Sequence, residues 1–255
     1  MSPTLTEFDN DRLLPATATA PADPADPANT ANAASMTPAM ALALASNFGS
    51  AARWRSELLA QAQALRGEAG WVGLMFQPQD GRLVTRWSTD ALAALPVATP
   101  LAMPLATPIL ALAAPQPQAA AGAWADLLDR IDWALVYGRY QSAVHDAGAD
   151  LGLAAPDIAG RMVLDVRRAG VFEAATSTLP DARWCDPAGV GDWSQQLPRC
   201  QAVLVYCVYG HEVGRVTALR LRAAGLDARF LIGGIDSWQA AGRPLVAKAG
   251  RLGAA

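Results

Sequence analysis

Hydrophobic side chains fall along this chain in two textures that meet near Trp124. From there on, Trp124, Leu127, Leu128, Ile131, Leu135 and Val136 recur at spacings of three and four, which predicts an amphipathic helix. Three short apolar runs follow: Met162-Val163-Leu164-Asp165-Val166, Ala202-Val203-Leu204-Val205-Tyr206 and Ala228-Arg229-Phe230-Leu231-Ile232. Apolar at successive positions, they read as strands buried on both faces, and the stretches between them are long enough for crossover helices. The pattern predicts an α/β fold, a parallel β-sheet flanked by helices. In such sheets the chemistry gathers just beyond the carboxyl ends of the strands, and the residue beyond the second run is Cys207.

Before Trp124 the pattern is less regular. Trp54, Leu58, Leu59 and Leu65 predict a helix within 51–66. Apolar stretches at 70–76 and 82–87 flank Gln77-Pro78-Gln79-Asp80-Gly81, a turn of the hairpin type. Residues 41–95 thus read as a small folded element whose role is open. In the apolar stretch 96–123, Pro96, Pro100, Pro104, Pro108 and Pro115 exclude a regular membrane-spanning helix and predict a semi-extended linker. Residues 1–40 are rich in Ala and Pro, with the near-repeat Pro21-Ala22-Asp23-Pro24-Ala25-Asp26-Pro27, and hold too few large apolar side chains to offset the entropy of ordering. A largely disordered N-terminal extension is expected there, and a single α/β domain over 124–250.

Composition narrows the function. Of the 255 residues 52% are hydrophobic, but Ala supplies much of that figure and buries little area per residue. A net charge of -3, with Lys and Arg scattered, offers no basic stripe for nucleic acid. Glu7, Asp9 and Asp11 have the wrong sign for the start of a secretory signal. The three cysteines, Cys185, Cys200 and Cys207, form no CxxC pair, so neither a disulfide framework nor a zinc site is expected, and a reducing, cytoplasmic setting fits. His145 has no carboxylate or cysteine at ligand spacing, so no metal site is assigned to it.

The segment Cys207-Val208-Tyr209-Gly210-His211-Glu212-Val213-Gly214-Arg215 joins the second strand to a helix expected over Val213–Ala224 and ended by Gly225. A loop in this position turns backbone N–H groups and the positive end of a helix toward the cysteine, which favours thiolate over thiol. Gly210 lets the loop bend. His211 either faces solvent or adds positive charge beside the sulfur. Arg215 either orients an anionic donor or makes a salt bridge on the helix surface. Glu212 is expected to point outward, because a carboxylate turned inward would raise the thiol pKa. Cys185 and Cys200 read as packing residues, with a resolving thiol as the alternative.

Four pieces, in order along the chain, resemble the rhodanese family: Val163-Leu164-Asp165-Val166-Arg167 with Phe172-Glu173, Leu179-Pro180-Asp181-Ala182, Val205-Tyr206-Cys207-Val208-Tyr209-Gly210, and Leu231-Ile232-Gly233-Gly234-Ile235-Asp236-Ser237-Trp238. The match covers roughly 157–244. The resemblance implies a rhodanese-like parallel sheet, no cofactor, and sulfur carried as a persulfide on Cys207. It also implies a small-molecule donor, thiosulfate or a persulfide, and a thiol or cyanide acceptor. Val208, Tyr209, Gly210, His211, Glu212, Val213 and Arg215 are then the substrate-binding loop, and Asp165 and Arg167 the structural residues beside it, with Arg167 a candidate partner of Glu173. The loop looks one residue longer than the family's usual one. Related phosphatases and arsenate reductases have Arg six residues after the cysteine, where this chain has Val213, which cannot clamp a tetrahedral oxyanion. Sulfur transfer is therefore expected. The alternative is a non-catalytic or regulatory rhodanese module that senses oxyanion or redox stress, with the N-terminal half as its protein-binding device; no nucleic-acid or membrane partner is expected.

Overall fold

The computed structural model describes residues 36–65, 68–89, 106–114, 122–154, 158 and 160–248. The chain divides into two compact units, one of residues 1–77 with 83–143, the other of residues 78–82 with 144–255.

In the first unit, helix α1 (Pro38–Phe48) starts where the Thr37 hydroxyl accepts the Met40 N–H at 3.2 Å. Pro38 occupies a first-turn position, where its missing N–H is no loss. Gly49, at φ 85°, ends the helix, and Ser50 caps α2 (Ala51–Ala64) by accepting the Arg53 N–H at 3.0 Å. Strands β1 (Trp71–Gln77), β2 (Arg82–Ser88) and β3 (Thr107–Ala113) form a sheet in the order β2-β1-β3, with β1 and β3 antiparallel. Helices α3 (Ala123–Asp129) and α4 (Trp133–Ala147) follow. Trp133 meets Trp54 edge to face at 5.6 Å, and Tyr140 meets Phe76 in the same way at 5.9 Å.

These elements correct the expected map. The stretch 96–123, expected to be a linker, contains β3. Pro108 lies opposite Met75 where the register shifts, and β3 is an edge strand, so the missing N–H breaks no ladder on a second side. The helix expected through Trp124 and Val136 is two helices, because Asp132 Oδ1 accepts the N–H groups of Ala134 and Leu135, each at 3.0 Å, and starts α4 afresh. Residues 124–143 belong to the first unit, since Trp133 and Tyr140 pack on Trp54 and Phe76. The α/β unit thus begins near Val144 rather than Trp124. The extension expected over 1–40 ends in α1, and residues 1–35 lie outside the described residues.

The second unit is built on a five-stranded sheet in the order β4-β9-β8-β5-β7, every neighbouring pair parallel. Its strands are β4 (Gly152–Leu153), β5 (Met162–Asp165), β7 (Arg183–Trp184), β8 (Val203–Tyr206) and β9 (Ala228–Leu231). Helices α5 (Ala169–Ala174), α6 (Val190–Trp193), α7 (Glu212–Ala223) and α8 (Gly234–Ala240) flank it. A small antiparallel pair, β6 (Ser177–Thr178) with β10 (Val246–Ala247), closes the C-terminal end. Alternate residues of the strands feed two cores. Val203, Val205 and Phe230 pack with Leu164, Ala218 and Leu221 on one face, and Leu204, Leu231 and Val163 with Ile235 and Trp238 on the other. This is the fold the three apolar runs predict. Among the described residues, no helix is long and apolar enough to cross a membrane.

A buried ion pair ends β5. The Asp165 carboxylate is fully buried and accepts from Arg167 Nη2 at 2.6 Å, from Nε at 3.0 Å and from the Arg167 backbone N–H at 3.0 Å. Tyr206, opposite Asp165 in the register, donates its hydroxyl proton to the same carboxylate at 2.8 Å and accepts the Leu179 N–H at 3.3 Å. Arg167 Nη2 also donates to the Ser177 carbonyl at 2.9 Å. Arg167 was expected to pair with Glu173. It pairs with Asp165 because a side chain two residues back on a turning strand end is already aligned by its own bond to the Arg167 N–H.

Arg167→Met leaves the Asp165 carboxylate buried without its cation, and denaturant unfolding is expected to show a loss of about 3–5 kcal/mol. Tyr206→Phe, which removes one donor to Asp165 and the acceptor of Leu179, is expected to lose about 1–3 kcal/mol.

Candidate functional site

The site is built where β8, the central strand of the sheet, gives way to α7. Cys207 follows the last strand residue and is 6% exposed. The loop turns at Gly210, at φ 67°, where a Cβ would sit 2.6 Å from the Leu231 carbonyl oxygen and 2.7 Å from the Gly233 nitrogen. Only glycine fits there. The start of α8 supports the loop from the other side: the Ile235 N–H donates to the Cys207 carbonyl at 3.0 Å and the Asp236 N–H to the Val208 carbonyl at 3.1 Å. Gly234, at φ 60°, lets that approach happen, since a Cβ would lie 2.5 Å from the Cys207 oxygen.

Backbone N–H groups of Gly214, Gly210 and His211 donate to the Cys207 sulfur and pull its pKa down. Burial pushes the other way and is stronger, and the Glu212 carboxylate adds to it, so the thiol pKa stands above its ordinary value. The loop was expected to favour thiolate. Instead the resting sulfur is a protonated thiol at neutral pH, because the N–H cradle comes with almost complete removal of water.

The other loop residues divide by exposure. Tyr209 is 56% exposed and packs its ring against that of the exposed His211 at 5.7 Å, so the His211 ring rests on Tyr209 while its backbone serves the sulfur. Val208 is half-buried, and Val213 is half-buried against the core that contains Cys207. Arg215 lies with its guanidinium over the Phe230 ring at 4.4 Å, donates from Nε to the Gly210 carbonyl at 3.2 Å and from Nη1 to the His145 carbonyl at 3.4 Å. It is a clamp on the loop backbone, where a donor-orienting role or a surface salt bridge was expected. Partial burial lowers its pKa, and a thiolate at Cys207 would oppose that shift.

Glu212 departs from expectation. It was expected to point outward, but its Oε2 is buried, accepts no hydrogen bond from any described residue, and acts on the Cys207 thiol. Helix α7 begins at Glu212, one residue before the expected start, which places this side chain in the first turn beside the loop.

Asp165 and Arg167 lie one strand away and meet the site through Tyr206, the residue before Cys207. Tyr206 was read as part of an apolar run and of the cysteine-loop motif, with no role for its hydroxyl, and that hydroxyl is the link. The signal available was a tyrosine ending one strand beside an aspartate ending the next. Burial and Asp165 raise the Tyr206 pKa, keeping the hydroxyl a donor. Cys185 is buried in the same core as Cys207, with its thiol pKa pushed up by burial, and Cys200 is exposed. Among the described residues, no three His, Cys, Asp or Glu side chains gather as a metal ion would need.

Residues 149–241 match the family model described as Rhodanese-like domain. Among solved structures, a rhodanese-related protein from Thermoplasma volcanium is 25% identical, with a TM-score of 0.34, over 37% of this chain and 96% of that one. A Rhodanese-like Domain Protein from Staphylococcus aureus is 19% identical, with a TM-score of 0.32, over 38% of this chain and 98% of that one. A curated relative, the Superoxide dismutase [Fe] of Cupriavidus metallidurans, is 34% identical over 119 residues, 44% of this chain and 56% of that protein. The chain spans just over half the length of that relative. A parallel sheet whose central strand delivers a cysteine into a backbone-lined loop defines the class of the second unit. Over residues 149–241 that unit is a rhodanese-like domain.

Alkylation of Cys207 by iodoacetamide, followed by peptide mass spectrometry, is expected to rise about tenfold per pH unit through pH 8 and onward, because only the thiolate reacts. A rate already level below about pH 8 would mean that the cradle outweighs burial.

Proposed function

We propose that this protein is a sulfurtransferase that moves sulfane sulfur from thiosulfate or a persulfide to a thiol or cyanide acceptor through a persulfide on Cys207. The observation that carries this reading is the sulfur itself, placed at the end of the central strand with the N–H groups of Gly214, Gly210 and His211 aimed at it. Three convergent donors stabilise negative charge on whatever sulfur occupies the cradle. In the first half-reaction the Cys207 sulfur attacks the outer sulfur of the donor, and sulfite or a thiol leaves. In the second a nucleophile takes the outer sulfur and the cysteine is restored. Of the loop 208–215, the exposed Tyr209 and His211 meet donor and acceptor, while Gly210, Val213 and Arg215 shape the loop beneath them, and no cofactor enters the cycle. A reducing, cytoplasmic location suits this chemistry.

Oxyanion chemistry is the weaker reading. A tetrahedral phosphate or arsenate needs a fixed cation over its oxygens. The sixth position after the cysteine is Val213, turned to the core, and Arg215 is held by Phe230 and the Gly210 carbonyl. Thiosulfate treatment is expected to add the mass of one sulfur atom to the Cys207 peptide, and Cys207→Ser to abolish transfer to cyanide. Phosphatase and arsenate reductase activities of the same sample are expected at background. Persulfide on Cys185 or Cys200, or turnover in Cys207→Ser, refutes the assignment.

The iron named with the curated relative does not fit this chain. The N-terminal 143 residues contain neither His nor Cys, and the two histidines of the chain, His145 and His211, are exposed and not grouped with other ligands among the described residues. Iron oxidoreductases hold the metal with nitrogen or sulfur donors that an Asp and Glu set cannot replace. We propose that the first unit serves as a folded partner-binding body without metal redox chemistry. Elemental analysis of the full chain after incubation with ferrous iron is expected to find less than about one tenth of an iron per chain, with superoxide dismutation at background; one iron per chain that supports dismutation refutes this.

A further inference from the structure

A carboxylate beside a buried thiol is an unfavourable neighbour unless it has work in the reaction. Glu212 Oε2 is removed from water and accepts no hydrogen bond from any described residue. An acceptor left in that state carries the unreturned cost of its lost water. The side chains that follow in the loop are engaged elsewhere: Arg215 donates to the Gly210 and His145 carbonyls and covers the Phe230 ring, and the His211 ring lies on Tyr209. Glu212 Oε2 therefore holds acceptor capacity that no described residue uses, in the first turn of the helix that follows the loop around Cys207.

We infer that Glu212 is the catalytic base for a thiol acceptor, taking the S–H proton of the incoming thiol and passing it to Cys207 as the sulfur leaves. The inference rests on the sulfurtransferase reading and names the acceptor class within it: a protonated thiol. The step balances without a further reactant. The acceptor RSH gives its proton to the Glu212 carboxylate. Its sulfur forms a bond to the outer sulfur of the Cys207 persulfide anion while the bond from that sulfur to Cys207 breaks. The product RSS⁻ departs with the negative charge, and the Cys207 thiolate receives the proton from Glu212. The total charge is the same before and after, and the transferred sulfur keeps its oxidation level.

Two features require such a relay. Cys207 sits where burial and the Glu212 charge favour its protonated form, so it leaves poorly as a bare thiolate and needs a proton delivered. With Cys207 only 6% exposed, bulk water is poorly placed to deliver it. An acceptor that carries an S–H supplies both the missing hydrogen bond to Oε2 and the proton.

The test uses full-length wild type and Glu212→Gln, each loaded with sulfur from thiosulfate or a low-molecular-weight persulfide and checked by mass spectrometry on the Cys207 peptide. Single-turnover transfer is then followed at pH 8 to glutathione, a thiol with a proton to lose, and to sulfite, which has none. Glu212→Gln is expected to lower the glutathione-to-sulfite rate ratio about 100-fold, the scale of one general base. The same variant is expected to alkylate faster at the unloaded Cys207, since a negative charge is gone, which separates loss of the base from damage to the loop. An unchanged ratio in a variant that loads normally overturns the role of Glu212 and leaves sulfur transfer standing. Wild type that forms no persulfide on Cys207 overturns both.

Discussion

The geometry at the carboxyl end of the sheet depends on one buried charge. Asp165 has no exposed surface, and a carboxylate in that state is tolerable only with its hydrogen-bonding capacity met. Arg167 meets most of it and Tyr206 the rest, and in doing so they tie β5, β8 and the segment at Leu179 to one point. The tie on β8 falls on the residue before the cysteine. Where the loop begins is thus set by a polar network on the face of the sheet opposite the one into which Cys207 packs, since Tyr206 and Cys207, as neighbours on an extended chain, point to opposite sides.

Beyond that point the loop is shaped by backbone rather than side chains. Gly210 and Gly234 both adopt positive φ, and both occupy places where a Cβ would strike a main-chain atom. The second glycine allows α8 to press its first N–H groups on the carbonyls of Cys207 and Val208. The cradle is consequently rigid, dry and rich in donors, and these qualities pull the thiol pKa in opposite directions. Donors stabilise the anion, dryness stabilises the neutral form, and for Cys207 dryness prevails.

Much of this was legible in the chain itself. The strands at 162–165, 203–206 and 228–231 are the continuous apolar runs, and the cysteine follows from asking what lies after the central one. Order among the four resembling pieces located the family. What escaped had physical causes. β4, β6, β7 and β10 are two residues long, too short for any period to show. β3 carries a proline that only its edge position permits, and edge position is a property of the assembled sheet. Asp132 is a polar residue inside an apparently continuous apolar pattern, and its capping bonds, not the pattern, divide α3 from α4. The orientation of Glu212 turned on a helix starting one residue early, below the precision with which boundaries can be read from periodicity.

Under the sulfur transfer proposed above, the depth of Cys207 gives the bare and the loaded protein different reach. With 6% of its surface open, the bare thiol is poorly exposed to peroxide or stray disulfides. A persulfide lengthens that side chain by one sulfur–sulfur bond, about 2 Å. The added atom can approach the mouth of the cradle while the cysteine stays below it. The cargo would then act as its own extension, so that a partner whose thiol cannot descend to Cys207 could still collect sulfur from it, and the empty protein would remain shielded until it is charged again.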